Sequence, residues 1–281
     1  MHTSAELEAI SCQVRRDILR MVHNVQSGHP GGSLGTADFM VALYFQVMKH
    51  RPDHFTLDGK GEDLFFLSNG HLSAVWYSVL ARSGYFEVSE LATFRKLNSR
   101  LQGHPATAEG IPGVRVASGS LGQGLSVAIG AAQAKKLNND TNLVYTMHGD
   151  GELQEGQIWE AALYASGHNV DNLIATIDYN GQQIDGPVDK VLPLGDLEAK
   201  WKAFGWDVLK MNGNNIADVL STLTLAINHT GKGKPVMILM HTEMGYGVDF
   251  MLNDHRWHGS PPSDEQLKTA LSQIEETLGD Y

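Results

Sequence analysis

The chain reads as an α/β protein whose mostly parallel sheet is covered by helices on both faces. Two observations predict this. Short apolar runs at Leu143–Met147, Leu173–Ile177 and Val236–Met240 are each bounded by Gly, Asp, Asn or Pro, as expected of buried strands. Segments with helical spacing lie between and around them, and strands alternating with helices make a parallel sheet.

The helical segments are justified in turn. Leu7–Val25 leads, followed by Leu34–Met48, where Leu34, Ala37, Val41, Tyr44 and Met48 recur at helical spacing. Leu121–Leu137, Glu155–Gly167, Leu197–Phe204, Ile216–Asn228 and a terminal stretch, Asp264–Leu278, continue the pattern. No repeat or low-complexity linker divides the chain, so residues 1–281 are expected to form a single domain.

Bulk properties restrict the partners. A length of 281 residues with 42% hydrophobic content can bury a substantial core. A net charge of −11 argues against a nucleic-acid or anionic-membrane surface, but not against a local anion site built from backbone N–H groups or a bound cation. One cysteine, Cys12, cannot form an internal disulfide and is expected to be a small buried hydrophobe in a reducing compartment. Met1–Glu8 lacks a signal-peptide pattern, and no apolar run approaches the roughly 18 residues needed to span a membrane, so the cytosol is the expected location.

Glycine- and histidine-rich connections distinguish the chain: Ser27–Ser33, Ser68–His71, Gly103–Pro105, Ser118–Gly124, His148–Gly156, Asp178–Gly186 and His255–Pro262. Several follow strands, where ligands sit in open α/β sheets. The sharpest signal is Gly149-Asp150-Gly151 directly after one strand, with Asp178-Tyr179-Asn180 closing the next. A hard cation such as Mg²⁺ takes about six oxygens and rarely all of them from protein. Asp150, the Asn180 amide and one carbonyl would leave room for diphosphate oxygens and a water. The plain alternative is a pair of ordinary strand-end turns.

Together with SGHPGG (Ser27–Gly32), LSNGH (Leu67–His71), GHP (Gly103–Pro105), SGSLGQG (Ser118–Gly124), GDGELQEG (Gly149–Gly156) and WHG (Trp257–Gly259), this element resembles the N-terminal half of transketolases. The words occur in order, at similar spacing, over essentially the whole chain.

The resemblance implies thiamine diphosphate and a divalent cation (Mg²⁺, or Ca²⁺ or Mn²⁺) held by Asp150, Asn180 and the backbone carbonyl of Gln182, where the family often has an apolar residue. It places His71, His258 and the Gly151 N–H near the diphosphate, Asn180 in both roles, and Gly119, Leu121 and Ile184 around the cofactor rings. Leu121 and Ile184 read equally well as core. Glu155 would stand at a subunit contact and help order the cofactor; otherwise it is a solvated charge early in a helix. His29 and His104, each in a Gly-His-Pro turn, would touch the sugar and, with His258, assist proton transfer, a task suited to a pKa near neutrality.

Transketolases usually continue into a pyrimidine-binding domain carrying the glutamate that activates the cofactor. The resemblance therefore implies an N-terminal subunit of a split enzyme, in preference to a truncated chain. It would move a two-carbon ketol unit between sugar phosphates, in a heterotetramer with a C-terminal partner. The alternatives are a deoxyxylulose-phosphate synthase-like chain and a non-catalytic cofactor-binding subunit.

Overall fold

The computed structural model describes residues 2–281. A five-stranded, wholly parallel sheet runs in the order β1 (Leu64–Leu67), β2 (Val144–Gly149), β3 (Leu173–Tyr179), β7 (Val236–His241), β6 (Asp207–Asn212). A two-residue hairpin, β4 (Gln182–Gln183) with β5 (Gly186–Pro187), projects from the end of β3.

Alternation along each strand sorts its side chains onto two faces. Phe65, Leu67, Tyr145, Met147 and Ile174 face one hydrophobic cluster, which includes α1 (Ser4–Asn24), α2 (Pro30–Gly35), α3 (Ala37–Ala42), α4 (Ser73–Arg82) and α9 (Ile216–His229). Leu64, Phe66, Val144, Leu173 and Ala175 face the other, which includes α5 (Gly124–Leu137), α6 (Gly156–Gly167), the short α7 (Val188–Val191) and α8 (Leu197–Ala203). The amphipathic α10 (Asp264–Gln273) closes the fold against α1. The expected fold class is the one observed.

Several boundaries differ for physical reasons. The helix expected over Leu34–Met48 is divided at Thr36, whose Oγ1 donates to the Gly32 carbonyl at 2.9 Å, and it ends in a π turn, Leu43–Val47. α5 starts at Gly124 rather than Leu121, because Gly122 has φ +83 and cannot continue a right-handed helix. The chain's end is not a solvated helix. α10 stops at Gln273, and Asp280 then pairs with Arg16 at 2.7 Å beside α1. Cys12 is only half-buried.

Candidate active site

The carboxyl ends of β1, β2 and β3 open onto one cavity. Each strand contributes the turn that follows it: Asn69 and His71 after β1, Asp150 and Gly151 after β2, Asn180 and Gln182 after β3. The start of α2 adds His29 and Gly32, the loop before α5 adds Gly119 and Leu121, and the loop before α10 adds His258. Ile184, at the tip of the β4–β5 hairpin, completes the rim.

Asp150 bridges two strand ends. Its Oδ2 accepts the Gly181 N–H at 2.6 Å and its Oδ1 accepts the Gly151 N–H at 2.7 Å. The Gly151 N–H is thus occupied by its neighbour. Asn180 Nδ2 donates to Asp178 Oδ2 at 2.8 Å, while its Oδ1 accepts the Gln182 N–H at 2.8 Å. Asp178 is held on its other side by the Thr242 hydroxyl.

These carboxylates are poorly compensated. Burial and the nearby Asp178 push Asp150 up to about 7, against the Gly181 and Gly151 N–H groups. Burial likewise raises Asp178 to about 6, opposed by Thr242 and Asn180. A buried pair with no Lys or Arg partner fits a divalent cation. Among the described residues no group of three or more His, Cys, Asp or Glu side chains could hold a metal. A metal here would draw on amide, carbonyl and exogenous oxygens, a donor set that suits Mg²⁺ better than zinc.

The cavity also holds a histidine cluster. The His29 ring centroid lies 5.1 Å from His71, 5.5 Å from His258 and 6.3 Å from His104. Burial, then His258, Arg95 and His104, lowers His29 to about 3. Burial also lowers His258, and burial with the neighbouring histidines takes His71 well below its ordinary value. The pKa near neutrality expected for these residues is therefore not what the cavity's own groups produce. They are neutral imidazoles at pH 7, able to donate or accept, and an anion among them opposes the shift. His104 sits outside the cavity wall against Gly119, where an added Cβ would lie 3.0 Å from the ring. Gly119 has φ +140, so a side chain there would be strained as well as crowded.

Of the remaining expected residues, Ile184 is 62% exposed, so it is not core, and Leu121 is half-buried at the wall. Glu155 is the exposed N-cap of α6, makes no side-chain capping bond and stands outside the cavity.

Two residues escape a reading of the sequence. Glu152, 1% exposed, takes the Gly122 N–H at 2.8 Å, the Gly149 N–H at 3.0 Å and the Ser68 hydroxyl. Burial alone would raise its pKa, but His148, Ser68 and Gly122 hold it below the usual carboxylate value. Asn69 lies beside Ser68 and faces the cavity. Both sit inside motifs visible in the sequence, yet their partners are distant in the chain.

The family model for the transketolase thiamine diphosphate binding domain matches residues 8–276. The chain belongs to the transketolase family. It is 37% identical over 272 residues to an apulose-4-phosphate transketolase subunit from Phocaeicola vulgatus, covering 97% of this chain and 95% of that one. It is 39% identical over 263 residues to a 6-deoxy-6-sulfo-D-fructose transketolase subunit from Clostridium sp. (strain MSTE9), covering 93% and 94%. The crystal structure of transketolase from Campylobacter jejuni superposes with a TM-score of 0.88 at 33% identity, covering 98% of this chain. This transketolase-family chain spans only 43% of that one.

Proposed function

We propose that this chain is the thiamine-diphosphate-holding subunit of a two-subunit transketolase, transferring a two-carbon ketol unit from a ketose to an aldose. The observation that carries the reading is the cavity itself. It brings Asp150 and Asn180 together with the neutral histidines His29, His71 and His258 at the carboxyl edge of a parallel sheet. The relatives' names give two different sugars, so the substrates are assigned only as a class.

When bound, thiamine diphosphate supplies a carbon nucleophile for breaking and remaking the bond beside a ketose carbonyl. The protein's part follows from its side chains. Asp150, Asn180 and the Gln182 carbonyl hold a divalent cation, and His71, His258 and the Gly151 N–H grip the diphosphate. Leu121 and Ile184 offer apolar surface to the rings, with Gly119 admitting them closely. His29 and His258, neutral and adjacent, orient and exchange protons with the sugar's oxygens, assisted by His104 beside Gly119.

A cavity of ≈ 180 Å³ is smaller than the roughly 300–1,000 Å³ usual for enclosing a cofactor-sized ligand. This supports a site walled on its open side by a partner, which would bring the activating glutamate, in an assembly of two chains of each kind. Glu155 would lie on that contact. The two hydrophobic clusters share one sheet, which supports a single domain over residues 1–281. Among the described residues no helix is long and apolar enough to cross a membrane.

The test is ketol transfer from xylulose 5-phosphate to ribose 5-phosphate with thiamine diphosphate and Mg²⁺, using the chain alone and then with a C-terminal transketolase subunit. Activity is expected only in the mixture. Turnover by the chain alone, or a mixture in which the chain fails to bind thiamine diphosphate, would refute the assignment.

A further inference from the structure

Asn69 is the unexplained polar group of the cavity. It is 1% exposed, lines the cavity wall, and has no hydrogen-bond partner for either Oδ1 or Nδ2 among the described residues. A buried carboxamide with both functions unpaired is costly and rare, since such groups are almost always paired. Its surroundings do not relieve it. The adjoining Ser68 hydroxyl goes to Glu152, the Gly70 N–H to the Ser68 carbonyl, and the Gly149 N–H to Glu152. These neighbours are committed to one another, which leaves both functions of Asn69 free to meet a ligand in the cavity.

The position narrows that partner. Asn69 Cβ is 4.0 Å from where a side chain on Gly149 would begin, one residue before Asp150. Its backbone is tied down there. Its backbone carbonyl accepts the Leu72 N–H at 2.9 Å, and Glu152 fastens Ser68 on one side and Gly149 on the other. A neutral N–H donor on a fixed stretch of backbone gains from an anionic ligand's charge without adding a charge to be buried.

We propose that Asn69 is a binding residue for the diphosphate of thiamine diphosphate, its Nδ2–H donating to a diphosphate oxygen. The inference rests on the cofactor reading above and adds to it a residue that reading did not use. Glu152 acts on the same contact as a positioning residue, through the turns it ties together.

The test compares Asn69→Ala and Asn69→Asp in the full chain, with Asp150→Ala as a control. Thiamine diphosphate affinity is measured by titration at saturating Mg²⁺, with the partner subunit present if the chain alone does not bind. Melting of each cofactor-free protein is recorded alongside. Loss of a hydrogen bond to a charged group should weaken binding about tenfold or more in Asn69→Ala. Asn69→Asp, of nearly the same shape, should be weaker still by at least about another tenfold, because it sets a carboxylate against phosphate oxygens. Melting temperatures of the two variants should agree.

Parental affinity in both variants would overturn the assignment. So would a loss in Asn69→Ala that Asn69→Asp does not exceed, or losses that track a fall in melting temperature, since these indicate packing. If the parent itself shows no Mg²⁺-dependent binding, the cofactor reading fails and this inference with it. If the parent binds, Asp150→Ala does not, and the Asn69 variants match the parent, only the Asn69 assignment fails.

Discussion

Glu152 Oε1 accepts the backbone N–H of Gly122 at 2.8 Å, fastening the loop before α5 to the turn after β2. The same carboxylate holds the Ser68 hydroxyl and the Gly149 N–H, so three cavity walls hang on one buried side chain. All three partners donate. Glu152→Gln, nearly identical in shape, must turn an N–H₂ toward at least one of them. A mismatch of buried donors costs about 2–4 kcal/mol. At about 2–4 °C per kcal/mol for a domain of this size, the melting temperature should fall by about 5–10 °C. Thiamine diphosphate affinity should fall with it, and a variant melting like the parent would show the clamp to be dispensable.

Asp150 behaves differently, because its own site is strained by like charge. Asp150→Asn keeps an acceptor for the Gly181 N–H and removes the repulsion with Asp178. Without cofactor, the variant should be as stable as the parent or more so by about 1–2 kcal/mol above pH 7. The sign follows from linkage. A carboxyl raised from the unfolded value of 3.8 to about 7 binds its proton more tightly in the native state, so stability declines as pH rises through that window. The gain should therefore vanish near pH 4. The thermal upshift produced by Mg²⁺ with thiamine diphosphate should be lost in the variant at every pH. Urea melts and thermal shifts separate the two effects.

The strands legible in the sequence are β2, β3 and β7, buried on both faces and therefore nearly continuous in apolar residues. β6 is an edge strand, half-exposed, and its Asp207-Val-Leu-Lys-Met-Asn alternates with polar residues. β1 is only Leu-Phe-Phe-Leu, too short for a period. α4 is buried all round except Arg82, so it carries no polar stripe to reveal its pitch. At the site, Asp150, Asn180 and the histidines can be read because they occupy turns whose residue types announce ligands. Glu152 cannot. Its partners Gly122 and Ser68 lie 30 and 84 residues away, and a lone Glu two positions after a turn looks solvated. Asn69 is hidden for the opposite reason, since its signal is the absence of a partner.

His29 gives the chain an acid sensitivity. Its folded-state pKa of about 3 lies below the ordinary 6.5, so the unfolded chain binds a proton that the native state refuses. Stability from keeping this ring neutral is fully present above pH 6.5 and is lost at up to about 1.4 kcal/mol per pH unit below it. His29→Asn lacks the linkage. Between pH 6.5 and 5 the parent's stability relative to the variant should fall by about 2 kcal/mol in urea melts. Parallel pH curves would show that the ring is solvated.

Ile184 tests whether the exposed wall is a binding surface. At 62% exposure on the tip of the β4–β5 hairpin, its side chain contributes little to the fold. Ile184→Ser should leave the stability of the cofactor-free chain within about 0.5 kcal/mol, as for ordinary surface substitutions. Apolar surface that a ligand covers is a different matter. Burying an isoleucine side chain fully stabilises by about 1.5–3 kcal/mol, so covering part of it supports a loss of about tenfold in thiamine diphosphate affinity. Loss of affinity at constant melting temperature would set Ile184 against the cofactor. Unchanged affinity in the chain alone, with weaker binding only when the C-terminal subunit is present, would instead place the residue on the subunit contact. A fall in both stability and affinity would mean that the hairpin tip packs into the fold more firmly than its exposure indicates.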